Sequence, residues 1–238
     1  MKLKKYKKED DFSYSLGAFP TLELVKSKPS MIEKILIHSS FTNQEVIDKI
    51  KEAVSFDKID YNADKEIEKL SDKGNLFVIG IFKKYDMMLD DNKDHLLLDN
   101  PSNMGNLGTI IRSSLGFGIK DIAIIKPGVD YFDPKVIRSS MGSIFSVNIR
   151  FFNSLEEYIS IHSDHTIYAF MLQAKKSLNG EAFNFPKVTL AFGNEATGLS
   201  DKYLNDYSLI IKHSDEIDSL NITNAVAIAL YEYSKRNM

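Results

Sequence analysis

The sequence contains no cysteine among its 238 residues, which excludes disulfide bonds and thiolate metal sites and fits a reducing, cytoplasmic environment. No apolar run approaches the roughly 20 residues that a membrane-spanning helix needs, so we expect no membrane partner. The formal net charge is only −3, so the chain lacks the excess of basic residues typical of a strongly basic nucleic-acid binder. A local patch such as the lysine-rich start, residues 1–8, remains compatible with phosphate contacts.

Two nucleotide-binding signatures are also missing. No G-x-G-x-x-G follows a strand in the required place and no G-x-x-x-x-G-K-[ST] occurs, which disfavours a nucleotide-dependent oxidoreductase or a phosphate-loop enzyme. The histidines show no metal-ligand spacing with carboxylates, so we expect no metal, and we place His162 and His165 at the surface around a turn. The five histidines are His38, His95, His162, His165 and His213.

The hydrophobic pattern predicts an α/β protein with two domains, residues 1–86 and 87–238. In the first, helical spacing covers residues 19–25, 43–54 and 64–70, and apolar runs predict strands at 32–37 and 76–82. The polar stretch 83–94 is interpreted as a linker.

The second domain alternates between strand-like and helix-like segments. This alternation predicts a mostly parallel sheet covered by helices on both faces. Predicted strands are 95–99, 122–125, 143–149, 167–172, 188–192 and 208–211. Predicted helices are 106–115, 134–141, 154–161 and 220–235.

Three polar loop segments stand beside these apolar elements, where α/β proteins keep ligands and chemistry. The first is Asn106-Leu-Gly-Thr-Ile-Ile-Arg112, which opens a helix whose unpaired N–H groups and dipole suit an anion. Arg112 lies nearly two turns after Asn106, so a guanidinium there could hold a phosphate in a bidentate manner. The structural alternative is an ordinary turn, a helix cap and a surface arginine.

The second segment is Phe192-Gly-Asn-Glu195-Ala-Thr-Gly-Leu199, which places glycines and a carboxylate at the carboxyl end of an apolar strand. A tight turn with a surface glutamate would give the same pattern. The third is Ser219-Leu-Asn221 before the last helix, where Ser219 or Asp218 could simply be the N-cap.

Together the three segments resemble the signature motifs of the SpoU (TrmH) family of RNA 2′-O-ribose methyltransferases, within the SPOUT superfamily. The resemblance covers roughly residues 96–233. Residues 16–25 and 35–37 are similar, more loosely, to the family's small N-terminal α/β substrate-binding domain.

The resemblance implies an S-adenosyl-L-methionine-dependent enzyme that methylates RNA, with ribosomal RNA favoured over transfer RNA. It also implies a homodimer and a C-terminal parallel-sheet domain containing a trefoil knot, which general topology rules would not predict. By position, Gly193, Ile211 and Leu220 would line the cofactor. The catalytic neighbourhood implied by the resemblance consists of Asn106, Arg112, Glu195, Ser219 and Asn221.

The chain departs from the family pattern at Lys212-His-Ser-Asp215, where Pro-Met-x-Gly is usual. Loss of the glycine at Asp215 would strain the loop if φ were positive there. This departure, with the acidic net charge, favours a rival reading: a catalytically weak or inactive SpoU-like module that binds RNA.

A ribose hydroxyl is a poor nucleophile at neutral pH and needs a base or electrostatic help. A free guanidinium keeps its proton above roughly pH 12. We therefore interpret Arg112 as a phosphate clamp that positions the ribose rather than as a simple base. Asn106 and Glu195 would orient that network, and Ser219 and Asn221 would fix the loop and cofactor.

Overall fold

A computed structural model describes residues 4–70, 75–179 and 183–237, so the first three residues of the lysine-rich start lie outside the described part. The strands are β1 (Phe12–Leu16), β2 (Ile32–Ile37), β3 (Ile59–Asp60), β4 (Val78–Lys83), β5 (His95–Asp99), β6 (Asp121–Ile125), β7 (Asn148–Phe152), β8 (Thr166–Ala169), β9 (Lys176–Ser177), β10 (Val188–Phe192) and β11 (Leu209–Ile210). The helices are α1 (Ala18–Ser27), α2 (Gln44–Ala53), α3 (Asp64–Leu70), α4 (Met104–Gly116), α5 (Pro134–Ser139), α6 (Leu155–Ile161) and α7 (Ile222–Ser234).

The first compact unit comprises Met1–Asp86 together with Asp130–Ser146. Its sheet has the order β1-β4-β2-β3, with β4 antiparallel to both neighbours and β3 parallel to β2. The segment 130–146, which the sequence analysis placed in the second domain, belongs here because its side chains join this unit's core. The Phe132 ring lies 5.8 Å from that of Phe82, and the Phe132 carbonyl accepts a hydrogen bond from Ser13 Oγ.

The second unit comprises Met87–Val129 and Val147–Met238. Its sheet has the order β7-β6-β5-β10-β8, and every pairing is parallel. The predicted α/β fold with a parallel sheet is confirmed; the knot stays a prediction. Of the central strands, β10 is buried at every residue and β5 at every residue except its last, Asp99, as expected for parallel strands covered on both faces. Because the strands run in one direction, their carboxyl ends meet at one edge and their amino ends at the other.

Three local predictions were wrong. Residues 143–149 are not one strand, because Ser143–Ser146 forms a 3₁₀ turn and β7 begins only at Asn148. Strand β1 was missed because its serines hide the apolar pattern. Ser13 and Ser15 are fully buried, and their hydroxyls are satisfied by hydrogen bonds to the Phe132 carbonyl and to Thr21.

The third error concerns His162 and His165, which were expected at the surface. His162 is only 3% exposed and His165 only 8%. His162 follows the last residue of α6, and His165 precedes β8. The turn that holds them packs at the amino end of the sheet, so both side chains are buried instead of facing solvent. Within the described ranges, no helix is long and apolar enough to cross a membrane.

Candidate functional site

A cleft of about 590 Å³ lies at the carboxyl end of β10, and we call it the carboxyl-end cleft. Four chain segments contribute to its lining: residues 170–173, most of 192–201, most of 210–213 and part of 218–225. Gly193, Ile211 and Leu220 all belong to this lining. Three residues from separate segments of the chain thus converge on one hollow, as the resemblance implied.

The loop after β10 closes tightly on itself. A Cβ atom at Gly193 would stand 2.0 Å from the Gly198 carbonyl carbon, so only glycine fits there. Gly198 has a φ of +68° and its N–H donates to the Asn194 carbonyl at 2.9 Å. The Asn194 side chain donates to the Asn100 carbonyl at 2.7 Å. The motif therefore builds one fixed loop rather than an ordinary exposed turn.

Glu195 joins this loop to the start of α4. Its Oε2 accepts from Ser102 N at 3.1 Å and Ser102 Oγ at 2.7 Å, and its Oε1 accepts from Asn103 N at 3.1 Å and Asn106 Nδ2 at 3.3 Å. A carboxylate at unpaired N–H groups ahead of a helix is electrostatically favoured. The first and second sequence motifs are thus parts of one hydrogen-bonded assembly.

The ionisation of Glu195 follows from these partners. Burial by itself raises the pKa of the carboxyl group, but the hydrogen bonds from Ser102 and Asn106 outweigh it and hold the pKa below its usual range. Glu195 is therefore an anion at neutral pH. An anion with four donors is suited to orienting the loop and poorly suited to accepting a substrate proton.

Helix α4 is capped by Asn103, whose side-chain oxygen accepts from Asn106 N at 3.0 Å. Asn106 lies in the first turn of the helix, with its amide turned to Glu195. Arg112 is exposed on the same helix and does not line the carboxyl-end cleft. The structure thus brings Asn106 to the assembly but leaves Arg112 outside the cleft wall.

Two residues of the third motif have different roles: Ser219 lines the cleft and Asn221 caps α7. Ser219 is exposed and lines the carboxyl-end cleft. Asn221 is the N-cap of α7, and its Oδ1 accepts from Thr223 N at 2.9 Å and Thr223 Oγ1 at 2.6 Å. The alternative of Asp218 or Ser219 as the N-cap is therefore wrong, which leaves the Ser219 hydroxyl for the cleft.

The unusual Lys212–Asp215 stretch does not strain the loop. Within the described ranges, the non-glycine residues with positive φ are Asn100 and Met141, and Asp215 is not among them. His213 lines the carboxyl-end cleft, and its Nδ1 lies 3.0 Å from the Ser214 carbonyl. The departure changes the chemistry of the cleft wall without requiring a left-handed residue.

Sequence reasoning missed several contributors. Ser102 and Asn103 hold Glu195, and the signal was available in Asn-Pro-Ser-Asn directly before a helix start. Phe170 and Phe192 stack in the cleft with ring centroids 4.5 Å apart. No spacing rule relates these two rings, because they lie on different segments of the chain.

Comparison with known proteins decides the family. The model of the SpoU rRNA methylase family matches residues 93–231, more than half of the chain. The chain belongs to the SpoU rRNA methylase family. The match begins just before β5 and ends within α7, so it contains every segment of the carboxyl-end cleft.

Two curated relatives of this SpoU protein come from Streptomyces. It is 30% identical over 145 residues to the 23S rRNA (uridine(2479)-2′-O)-methyltransferase of Streptomyces viridochromogenes, over 58% of this chain and 50% of the relative. It is 29% identical over 150 residues to the 23S rRNA (adenosine(1067)-2′-O)-methyltransferase of Streptomyces azureus, over 61% and 55%. The alignment therefore spans about half the length of these relatives.

Solved structures extend the likeness in fold to nearly the whole SpoU chain. The SpoU methyltransferase AviRb of Streptomyces viridochromogenes superposes with a TM-score of 0.79 at 21% identity, covering 95% of this chain and 90% of that one. An rRNA methyltransferase of Sinorhizobium meliloti gives 0.75 at 23% identity, covering 96% and 88%. At these identities the likeness establishes the fold, including that of the first unit.

Proposed function

We propose that the protein catalyses S-adenosyl-L-methionine-dependent 2′-O-methylation of ribose in RNA, with ribosomal RNA as the substrate class. Both Streptomyces relatives are named for this reaction on 23S rRNA. The observation that carries the proposal is the convergence of the three motifs: Gly193, Ile211 and Leu220 on one cleft, and Asn106 on Glu195 at its rim.

The cleft suits S-adenosyl-L-methionine. Its volume of about 590 Å³ lies in the range of small-molecule sites. Its apolar lining suits an adenosyl group, and the carboxylates of Asp201 and Asp218 are of the right sign for the cofactor's sulfonium and ammonium charges. A structure of AviRb was solved in complex with AdoMet, the same cofactor. Gly193, Ile211 and Leu220 would hold the cofactor in this chain.

When bound, the cofactor would supply a methyl group made electrophilic by the sulfonium. The chain's own task is to bring a ribose 2′-hydroxyl in line and help its proton leave. Arg112, exposed on α4 about 9 Å along the axis from Asn106, would clamp an RNA phosphate and favour the developing alkoxide. Because guanidinium is a poor base, the proton would pass to a phosphate oxygen or water.

The remaining site residues position these groups. Glu195, as an anion, fixes the start of α4 and so the direction from which Arg112 reaches RNA. Asn106 completes that connection, Ser219 offers a hydroxyl to the cleft, and Asn221 fixes the first turn of α7. Such positioning can contribute several kcal/mol to barrier lowering.

The first unit would serve as the RNA-binding domain. Its Phe56 is 78% exposed, and the ring lies 6.1 Å from that of Tyr61, which also faces Lys51. Exposed aromatic rings beside a cation are the usual platform for unpaired RNA bases. Phe56→Ala should weaken RNA binding several-fold in a filter-binding assay without changing cofactor affinity.

A homodimer is the proposed assembly. Ile228 and Tyr231 on α7 are 39% and 51% exposed although that helix is largely apolar, so a second copy could cover them. Light scattering should give twice the chain mass for wild type, and Ile228→Glu should lower it. A cytoplasmic location stays a prediction.

The decisive experiment is methylation of purified ribosomal RNA with tritiated cofactor, with a transfer RNA pool in parallel. Ribose methylation should leave one alkali-resistant linkage in ribosomal RNA at the labelled position. A label found on a base, or in transfer RNA alone, would contradict the assignment.

A second candidate is a SpoU-like module that binds RNA without turnover. The Lys212–Asp215 departure and the position of Arg112 outside the cleft wall favour it. Calorimetric titration with S-adenosyl-L-methionine separates the two functions, because the module would bind RNA but show no heat of cofactor binding.

A further inference from the structure

Three buried imidazoles meet at the amino end of the same parallel sheet. His95 begins β5, His162 follows α6 and His165 precedes β8, and we call them the histidine cluster. They are 0%, 3% and 8% exposed, and one ring nitrogen from each lies within 4.8 Å of those of the other two. This is the edge of the sheet opposite the carboxyl-end cleft, and the proposed methyl transfer does not use it.

Hydrogen bonds assign the protons in this cluster. His95 Nε2 lies 3.0 Å from the Asp90 carbonyl, which can only accept, so Nε2 carries the proton and Nδ1 accepts from Tyr158 Oη at 2.8 Å. Tyr158 Oη then accepts from Thr189 Oγ1 at 2.7 Å, and Thr189 Oγ1 accepts from His165 Nδ1 at 3.0 Å.

Because Nδ1 of neutral His165 carries the proton in this series of hydrogen bonds, the lone pair of the ring is on Nε2. That nitrogen is buried and has no hydrogen-bond partner. His162 Nε2 is also buried and unpartnered, while its Nδ1 lies 2.9 Å from an Asp91 carboxylate oxygen. Buried polar atoms without a partner are costly and rare in folded proteins. Two such nitrogens in one cluster point to a ligand that binds lone pairs.

We propose that His95, His162 and His165 form a binding site for one divalent transition-metal ion, Zn²⁺ in the first place. Imidazole nitrogen suits zinc, and the Thr189 and Asp91 contacts are the outer contacts that orient ligating histidines. Nitrogens bound to one zinc ion lie about 3.4 Å apart, so closing the cluster requires side-chain shifts of only about 1 Å. His95 would release Tyr158 and ligate through Nδ1.

The carboxylate of Asp91 beside the histidine cluster attracts a cation and leaves a route for its entry. The Asp91 side chain is 65% exposed, so an ion can approach from solvent past this carboxylate, and the fourth ligand position is left to water. Burial lowers the pKa of His95 to about 4 and lowers the pKa of His162 and His165 as well. All three rings are therefore neutral at pH 7, in the form that binds metal.

The proposed site would replace the expectation of no metal. Linear spacing gave no signal because the ligands come from three elements that the sheet assembles, β5, the end of α6 and the start of β8. The inference does not rest on the proposed methyl transfer.

The test is titration of the tag-free, chelator-treated wild-type chain with Zn²⁺ alone. One ion should bind per chain with a dissociation constant of about 1 μM or below, and the melting temperature should rise by several degrees at saturation. His162→Asn and His165→Asn should each weaken binding at least tenfold, whereas His38→Ala, a histidine of the first unit, should not.

Absence of binding up to 100 μM Zn²⁺, or binding unchanged in both asparagine variants, would overturn the site. Circular dichroism checks that the variants fold. If they do not, X-ray absorption of zinc-loaded wild type decides the question: three nitrogen ligands at about 2.0 Å support the site, and fewer than two imidazoles refute it.

Discussion

The two ends of the second unit's sheet use polar residues in opposite ways. At the carboxyl end, Glu195 has all its donors in place and the cleft beside it is open. At the amino end, His162 and His165 are closed in the interior with nitrogens that have no partner. At the carboxyl end the polar groups of the loops are hydrogen-bonded to one another beside an open cleft, while at the amino end buried ring nitrogens are left without partners.

This contrast separates two kinds of candidate site. The carboxyl-end cleft is recognisable from motifs because much of its lining belongs to the second and third motifs, in which the residues are nearly consecutive in sequence. The histidine cluster is recognisable only from unmet hydrogen-bonding capacity, a property of the folded chain. The two ends should therefore respond differently to substitution. Substitutions at the carboxyl end should impair cofactor binding and methyl transfer, and substitutions at the amino end should lower stability and metal affinity.

The largest effect is expected from Gly193→Ala. A Cβ there would stand 2.0 Å from main-chain atoms of Gly198, so the loop must open and the cleft must lose its shape. Cofactor binding and methyl transfer should fall below detection, and overpacking should cost about 1–3 kcal/mol of unfolding free energy. Calorimetric titration and a denaturant melt measure the two effects.

The matched control is Gly116→Ala, where a Cβ meets nothing within 4 Å. Its unfolding free energy should change by less than about 1 kcal/mol and its cofactor affinity should stay unchanged. Normal cofactor binding by Gly193→Ala would show that the cleft does not hold the cofactor.

Arg112→Ala should lower methyl transfer by at least about two orders of magnitude, within the range for a lost electrostatic or acid–base group. Cofactor binding should survive because Arg112 does not line the cleft. Single-turnover rates and calorimetry give the two readouts. Turnover near that of wild type would remove Arg112 from the mechanism.

The sequence was sufficient for most of the second unit because its strands are short runs in which apolar residues predominate, as in β5 and β10. It was insufficient for β1, whose buried serines have the polarity of a loop. It also could not assign residues 130–146, because their place in the first unit depends on long-range contacts such as that between Phe132 and Phe82.

In the candidate site, too, some residues could be predicted from the sequence and others could not. Family resemblance supplied Gly193, Ile211 and Leu220, and the geometry places all three in one cleft. Linear spacing did not supply the partners of Glu195, because Ser102 lies 93 residues away. The histidine cluster was misjudged because a short turn between polar residues has the same sequence pattern whether it faces water or the interior.

Thr189→Val tests the amino end in chelator-treated protein. Valine keeps the shape of threonine but removes the hydroxyl that joins Tyr158 to His165, leaving buried groups unpaired. The unfolding free energy should drop by about 1–3 kcal/mol with cofactor affinity unchanged. Thr109→Val, at an exposed helical threonine, should stay within about 0.5 kcal/mol. Equal losses for both variants would mean that the buried network is not tightly formed.

The smallest effect is expected from Glu195→Gln, and it depends on pH. Because hydrogen bonds hold the folded-state pKa of Glu195 below its unfolded value, its stabilising contribution is complete above the ordinary carboxyl pKa of about 4.3. It is lost as the pH falls through the folded-state value. At pH 7 the variant should be less stable by roughly 1 kcal/mol, since the group is partly solvent-screened.

The stability difference between wild type and Glu195→Gln should therefore shrink as the pH is lowered from 6 to 3, measured by urea melts at each pH. Glu52→Gln, at an exposed position of α2, should show little difference at any pH. A gap between wild type and Glu195→Gln that stays constant down to pH 3 would mean that the start of α4 is held by the shape of the loop rather than by the charge on Glu195. The carboxyl end of the sheet would then resemble the amino end in one respect, because its structure would depend on packing and not on a charged side chain.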